Sequence, residues 1–261
     1  MPSHADMSDR RNLTSETEKK WQSLFDTNDG READSRTLPR FRDVAESPEI
    51  GLQFRRFSDI VPGRYFLPEV MGGGIGWIDV DRDGRWDLYA VNGSSLWDVE
   101  TAPEYTNRLF RNNGDGFCDV TSESNTGDLH YGQGCTVGDF NADGFPDLYV
   151  TNYGRNSLLQ ANGDGTYCAV TEMAGVGCES WSTSAVWVDA DRDHLADLYC
   201  VNYLNVTREN HRSCHYVDIE GYCGPGQWDA VGDVLYLNSG DGGFRPAASI
   251  ASDLNPADSK G

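Results

Sequence analysis

The chain has 261 residues, and its 42 Asp and Glu against 21 Lys and Arg give a formal charge of -21, which argues against nucleic acid and anionic membrane surfaces as partners. Its 38% hydrophobic and 11% aromatic residues suffice for a core, yet no stretch approaches the roughly 20 apolar residues of a membrane span. The 29 glycines point to many tight turns, as in an all-β chain.

Residues 1–39 are polar, without sustained periodicity, and are read as a flexible arm; "ETEKKWQSLF" offers a short helix around Trp21 and Phe25 as an alternative. The first twenty residues lack the apolar run of a signal peptide.

From Phe41 onward the chain repeats itself. One element is an apolar stretch, an aspartate-rich loop and an alternating strand: "GIGWIDVDRDGRWDLYAVN", "GCTVGDFNADGFPDLYVTN" and "SAVWVDADRDHLADLYCVN". Each closes on an asparagine: Asn92, Asn152, Asn202. The other element is a hairpin with a Gly-Asp-Gly turn: "NRLFRNNGDGFCDVT", "NSLLQANGDGTYCAVT" and "DVLYLNSGDGGFRPAA". Glycine supplies the positive φ that such turns need. Two hairpins make four strands, the size of one β-propeller blade. The prediction is an all-β fold: a partial propeller with blades at about 72–121, 132–171 and 182–248 inside a repeat region 40–250, and a flexible tail at 251–261. "FRDVA" (41–45) copies "FCDVT" (117–121) without a hairpin before it and is predicted to be an extra closing strand. Three blades cannot close a ring when propellers have about 4–8, so the chain reads as cut short, its open blade faces inviting self-association. Segments 93–106 and 203–232, between the hairpins, are the longest connections and the expected carriers of specificity.

The aspartate loops carry the chemistry. Carboxylates at alternate positions, a turn glycine and a further Asp describe a chain wrapped around a hard cation, with positions 1, 3 and 5 pointing inward and position 7 offering its carbonyl. Oxygen-only ligation selects Ca²⁺ over zinc or copper. The predicted ligands are Asp79, Asp81, Asp83, the Arg85 carbonyl and Asp87 in loop 1. Loop 2 offers Asp139, Asn141, Asp143, the Phe145 carbonyl and Asp147. Loop 3 offers Asp189, Asp191, Asp193, the Leu195 carbonyl and Asp197. Position 12 holds Ala90, Val150 or Cys200 rather than the glutamate of an EF-hand, and the flanks alternate like strands. In loop 3 His194 replaces the turn glycine, predicting a strained and weaker site. Two to three calcium sites are expected; an Asp-rich turn that merely meets solvent is the bland alternative.

Other constellations are weaker. The acids are committed to the loops, no Gly-x-Ser-x-Gly occurs, and no histidine is placed by the pattern to act as a base. Catalysis, as in a polysaccharide lyase or hydrolase, is therefore the minor reading. "GGG" (72–74) leads into a strand, not a helix, and reads as close strand packing. Among His211, Cys214, His215 and Cys223 the spacing matches no strong zinc pattern; a Cys214–Cys223 disulfide closing the loop is preferred, with free thiols as the alternative. Cys118 and Cys168 are expected to be small buried side chains, and Trp77 and Trp187 to fill the space between blades.

These residues resemble the FG-GAP/VCBS repeats of integrin α-subunit propellers. "FRDVAE", "YFLPEVMGGGIGWIDVDRDG", "DLYVTNY" and "YCGPGQWDAVGDVLYLNSGDGGF" look more closely like the ASPIC/UnbV proteins, relatives of cartilage acidic protein. The resemblance covers about residues 41–250. It implies a calcium-binding propeller, usually secreted or surface-exposed and followed by further blades and an ASPIC domain. The expected function is adhesion to, or recognition of, a protein or polysaccharide through the inter-strand loops; an inert structural module is the bland alternative.

Overall fold

Alternating side chains and glycine-rich turns produce three four-stranded antiparallel sheets. The computed structural model describes residues 47, 50–57, 60–97 and 105–247; the predicted arm, closing strand and C-terminal tail lie outside them. The first sheet runs β1 (Ile75–Ile78), β2 (Asp87–Ala90), β3 (Arg108–Asn112), β4 (Phe117–Asp119) in spatial order. The second runs β5 (Tyr131–Gly138), β6 (Asp147–Tyr153), β7 (Ser157–Ala161), β8 (Tyr167–Ala169). In the third, β9 (Ser182–Val188) and β10 (Asp197–Asn202) are followed by an insertion with its own hairpin, β11 (Ser213–Tyr216) and β12 (Ile219–Tyr222). The sheet is then completed by β13 (Val234–Asn238) and β14 (Phe244–Pro246). One helical turn follows each of the first two sheets: α1 (Thr121–Ser124) and α2 (Thr171–Ala174). The fold is nearly all β, as the repeats predict.

Period-two alternation gives the repeated Asp-Leu-Tyr its meaning, because successive strand residues face opposite sides. Tyr89 of β2 joins Ile78 and Leu109 against Leu148, Val150 and Leu159 of the second sheet. Tyr149 of β6 faces the other way, packing with Leu158 and Phe140 against Leu198, Cys200 and Tyr236 of the third. So Leu148 and Leu198 look back at the preceding sheet, and Tyr89 and Tyr149 look forward to the next. Leu88, with no earlier sheet beside it among the described residues, is instead covered by Leu52 and Phe54.

The first strands of the three sheets lie side by side, and this requires glycine. A Cβ on Gly74 would sit 3.0 Å from the Gly134 Cα, and one on Gly138 only 2.4 Å from the Trp187 ring. The triple glycine is therefore close strand packing, as expected. Trp187 does fill the space between sheets, stacking near Phe140 and edge-on to Tyr149. Trp77 does not. It occupies the equivalent position on β1, where no neighbouring sheet stands opposite it among the described residues, and is 53% exposed. Val186 and Val188 are likewise exposed on the far face of β9. The expectation for Cys118 and Cys168 also fails: both lie on outermost strands, Cys118 half-buried and Cys168 exposed.

The closing asparagines have a common task. The backbone N–H groups of Asn92, Asn152 and Asn202 donate to the side-chain oxygens of Asn107, Asn156 and Asp233, each the residue just before the third strand of its sheet. Their own amides donate to the Thr106, Arg155 and Gly232 carbonyls. The side chains thus lock two strands together where the ladder ends, whatever the length of the connection between them. Asn156 also bonds the Tyr149 hydroxyl, which itself donates to the Val176 carbonyl. Asn156→Ala strands these buried groups, at about 1–3 kcal/mol for each unsatisfied polar group. Urea unfolding should show a lower midpoint with an unchanged slope, whereas Asn162→Ala, on an exposed turn, should stay within about 0.5 kcal/mol of the parent.

Candidate metal centre

Each loop links the first strand of a sheet to the second, and its backbone turns left-handed twice. Position 6 has positive φ in all three: Gly84 (82°), Gly144 (89°) and His194 (71°). Position 4 does too, although it is never glycine: Arg82 (56°), Ala142 (57°) and Arg192 (67°). Left-handed backbone costs an L residue roughly 1–2 kcal/mol, so the loops are held in a strained path by side-chain hydrogen bonds. The position-1 carboxylate is the hub. Asp79 accepts the N–H groups of Asp83 and Gly84 at 3.0 Å each. Asp139 accepts those of Asp143 and Gly144 at 3.1 and 2.8 Å, and Asp189 accepts that of His194 at 3.2 Å.

The position-9 aspartates are buried, and both oxygens of each accept a backbone N–H. One comes from position 2 of the same loop: Val80, Phe140 or Ala190 at 2.9, 3.1 and 2.9 Å. The other comes from the third strand: Asn112, Ala161 or Asn238 at 2.7, 2.8 and 2.8 Å. Burial pushes the Asp147 carboxyl up to about 7, the neighbouring Asp143 and Asp139 adding to the rise while the two N–H bonds oppose it. Burial raises Asp87 as well, with Asp81 and Asp83 contributing. A nearby cation would reverse this preference for the neutral acid.

Three of the predicted side-chain ligands in loops 1 and 3 come together. Carboxylate oxygens of Asp79, Asp81 and Asp87 lie within 4.8 Å of one another, as do those of Asp189, Asp191 and Asp197. Position 5 lies outside both clusters. Asp83, Asp143 and Asp193 instead accept the position-7 N–H at 2.8, 2.8 and 2.9 Å, and Asp83 also pairs with the Arg85 guanidinium. In loop 2 the Asn141 amide donates to Asp143 at 2.8 Å, and its oxygen accepts the Asp143 N–H. His194 accommodates the left-handed backbone with its ring in solvent, its Nδ1 3.7 Å from Asp189. The donor set fits a hard cation: grouped carboxylate oxygens, no nitrogen or sulfur, and buried acids lacking positive charge.

Residues 79–150 and 139–200 each match the family model described as an FG-GAP-like repeat. The two matches overlap and together span residues 79–200, under half of the chain, so the likeness to an FG-GAP-like repeat holds over that stretch. The matched spans begin at the first aspartates of loops 1 and 2 and end within β6 and β10. With three four-stranded sheets of one design, this is a β-propeller-like repeat module. Similar among solved structures is a lectin from Agrocybe aegerita, described as recognising non-reducing terminal N-acetylglucosamine. It is 14% identical with a TM-score of 0.35, and the match covers 68% of this chain and 38% of the lectin's. No curated protein matches significantly. Among the described residues no helix is long and apolar enough to cross a membrane.

One polar pair has no signal in the repeat pattern. His130 Nδ1 lies 2.5 Å from the buried Asp128 carboxylate, which also accepts the His130 N–H and the Asn152 amide. The Asp128 bond raises the His130 ring above its ordinary value; burial and Arg155 oppose this, and Glu179 assists. Burial would raise Asp128, but the His130 and Asn152 bonds outweigh it and hold the carboxyl low.

Two outcomes follow. Asp147→Ala strands the Phe140 and Ala161 N–H groups and should destabilise even cation-free protein, by roughly 1–3 kcal/mol per donor. Asp81→Asn, on the exposed rim, should leave cation-free stability within about 0.5 kcal/mol; chemical denaturation in chelator separates the two roles. For the histidine pair, a raised folded pKa means its contribution is complete below the ordinary histidine value and lost as pH rises through the raised one. Melting curves from mildly acidic to mildly alkaline pH should show that decline, and His130→Gln should flatten it.

Proposed function

We propose that this chain is a calcium-dependent recognition module that binds a protein or polysaccharide through the loops joining its strands. The supporting observation is the repeated gathering of carboxylate oxygens at positions 1, 3 and 9 in loops 1 and 3, with the exposed His194 ring 3.7 Å from Asp189 at the edge of the loop 3 cluster. Asp79, Asp81 and Asp87 would hold one ion and Asp189, Asp191 and Asp197 another, with Asp139, Asn141 and Asp147 as the third set. The position-7 carbonyls of Arg85, Phe145 and Leu195 are further donors in this reading. The ion supplies positive charge that relieves the repulsion among these acids and pins each strained loop. Its role is to hold the module in shape, and the reading is one of binding rather than catalysis.

The recognition surface belongs, in this reading, to the long insertions, which are packed against each other. Arg208 donates to the Leu96 carbonyl, and Arg64 and Arg208 both lie over the Trp97 ring at 4.4 and 4.9 Å. His211 Nε2 is 2.7 Å from the Arg64 carbonyl. Cys214 and Cys223 form a disulfide across the insertion hairpin, with a Cα–Cα distance of 5.0 Å. Cross-links of this kind persist in oxidising compartments, which supports action outside the cell or at its surface, in keeping with the ASPIC/UnbV resemblance. The exposed Ile75, Trp77, Val186 and Val188 support self-association through open blade faces.

Calorimetric titration of the chelator-stripped chain with calcium chloride, paired with thermal melts, tests the proposal. Two or three sites and a higher melting temperature are expected, each site adding about 2.7 kcal/mol at hundredfold excess over its Kd. Asp81→Asn and Asp191→Asn should each weaken one site, and His194→Gly should strengthen the third. The absence of both binding heat and a melting shift would overturn the calcium reading.

A further inference from the structure

Away from the aspartate loops, a cleft is built by the segments that join the second sheet to the third. It encloses about 290 Å³, the small end of the range for ligand pockets. Tyr153 stands at the end of β6, Glu179, Ser180 and Trp181 lead into β9, and residues 204–207 open the insertion after β10. Its frame is hydrogen-bonded backbone. Tyr153 and Trp181 pair as an antiparallel bridge, as do Leu204 and Ala230. The Tyr203, Asn205 and Val231 N–H groups donate to the Trp181, Asp229 and Tyr203 carbonyls at 2.9 Å each. Tyr153 reaches across from the second sheet, its hydroxyl donating to the Val206 carbonyl at 2.9 Å. Trp181 Nε1 donates to Gln133 at 3.0 Å.

Floor and rim differ in chemistry. Trp181, Leu204 and Val206 are buried and Tyr153 is half-buried; with the indole N–H and the phenol already bonded, these side chains present carbon. At the rim stand the Glu179 carboxylate and the Asn205 carboxamide. Both are exposed, and neither side chain has a hydrogen-bond or ionic partner among the described residues. The half-buried Ser180 hydroxyl is beside them. The carboxylate accepts, while the carboxamide and the hydroxyl both donate and accept. No Arg, Lys or His lines the cleft, and the chain carries a charge of -21, so an anionic ligand is repelled. A wholly apolar ligand would desolvate the Glu179 carboxylate without compensation. An extended peptide adding itself as a strand needs free backbone groups, and those of the frame are already paired with one another. The chemistry left is that of a compact neutral ligand with a carbon face and hydroxyls around its edge.

We propose that this cleft binds one neutral pyranose unit of a polysaccharide. The C–H face of the sugar ring packs on Leu204, Val206 and Tyr153, an aromatic ring whose face is weakly negative and suits the weakly positive C–H groups. Hydroxyls at the sugar's edge donate to Glu179 and exchange hydrogen bonds with the Asn205 carboxamide, so each polar group at the rim gains a partner. The assignment deepens the recognition reading above and rests on its polysaccharide branch, but it places no ion in the cleft. The cleft lies where β6 and β10 end, whereas loops 2 and 3 lie where those strands begin. Sugar and proposed ions thus occupy opposite ends of the same sheets.

The test is saturation-transfer difference NMR on the full chain in calcium chloride, with the α- and β-methyl glycosides of glucose, galactose and mannose as probes. Transfer to the ring protons of at least one glycoside is expected. Its dissociation constant should rise about tenfold in Glu179→Ala and in Asn205→Ala, the loss of a hydrogen bond or two. Both side chains are exposed and unpartnered, so an unchanged melting temperature should accompany the loss, and Asn162→Ala, outside the cleft, should bind as the parent does. Transfer that persists equally in both cleft variants would overturn the assignment while leaving saccharide recognition elsewhere on the module standing. No transfer to any of the glycosides would overturn it too, with the metal reading judged separately by the calcium titration, which involves no sugar. Transfer to Nα-acetyl-lysine amide in place of the glycosides would give the cleft to a cationic peptide and equally sink the proposal.

Discussion

The structure depends on one buried carboxylate per sheet. Asp87, Asp147 and Asp197 each sit at the start of a second strand and accept two backbone N–H groups, one from the loop behind and one from the third strand ahead. A buried charge is costly unless hydrogen-bonded, and an unpaired backbone donor is costly as well; here each satisfies the other. Because the two donors lie on different segments, the aspartate fixes the loop and the outer hairpin relative to each other. The asparagine clamps do the same work at the other end of the second strand. Between these two anchors the apolar faces can stack from sheet to sheet.

That arrangement also sets the electrostatic problem that the loops pose. The position-9 acid is buried by its scaffold role, and the rim acids raise the potential around it, which is why Asp147 and Asp87 favour the neutral form more than an isolated carboxyl would. Two left-handed residues per loop add strain. Neutral acid and strained backbone are both poor resting states for a surface turn, and a divalent cation, on the proposed reading, would relieve the first and compensate the second. The same aspartate can therefore serve as scaffold and ligand: its oxygens have lone pairs beyond those occupied by N–H groups.

Much of this was legible in the residues because it repeats. Three copies of Asp-Leu-Tyr and three Gly-Asp-Gly turns carry strand length, facing and hairpin position, and the all-β fold follows from them. The asparagine at each strand end was visible as a recurrence, while its partner was not, since 93–106 and 203–232 separate the two in sequence. Left-handed backbone at Arg82, Ala142 and Arg192 leaves no trace either, because ordinary side chains occupy it. The split between position 5, turned to its own loop's N–H groups, and positions 1, 3 and 9, gathered together, is a matter of backbone path. Spacing alone treats all four alike.

The two tryptophans show the boundary most plainly. Trp77 and Trp187 precede their loops by the same two residues and point the same way from their strands. Trp187 meets the second sheet at Gly138, where the absence of a Cβ opens the slot for its ring; Trp77 has no sheet standing opposite it among the described residues and is 53% exposed. Sequence sets the direction of a side chain through its strand period, but burial depends on what stands opposite, which belongs to another part of the chain. Cys178 and Cys200 follow the same logic. Neither lies in a recognisable cysteine spacing, and they are joined only through the side chains of Asn156, Ser182 and Asn202, which come from three different segments. Positions fixed by the repeat carry the shared scaffold, while the chemistry peculiar to this chain arises where one repeat hands over to the next.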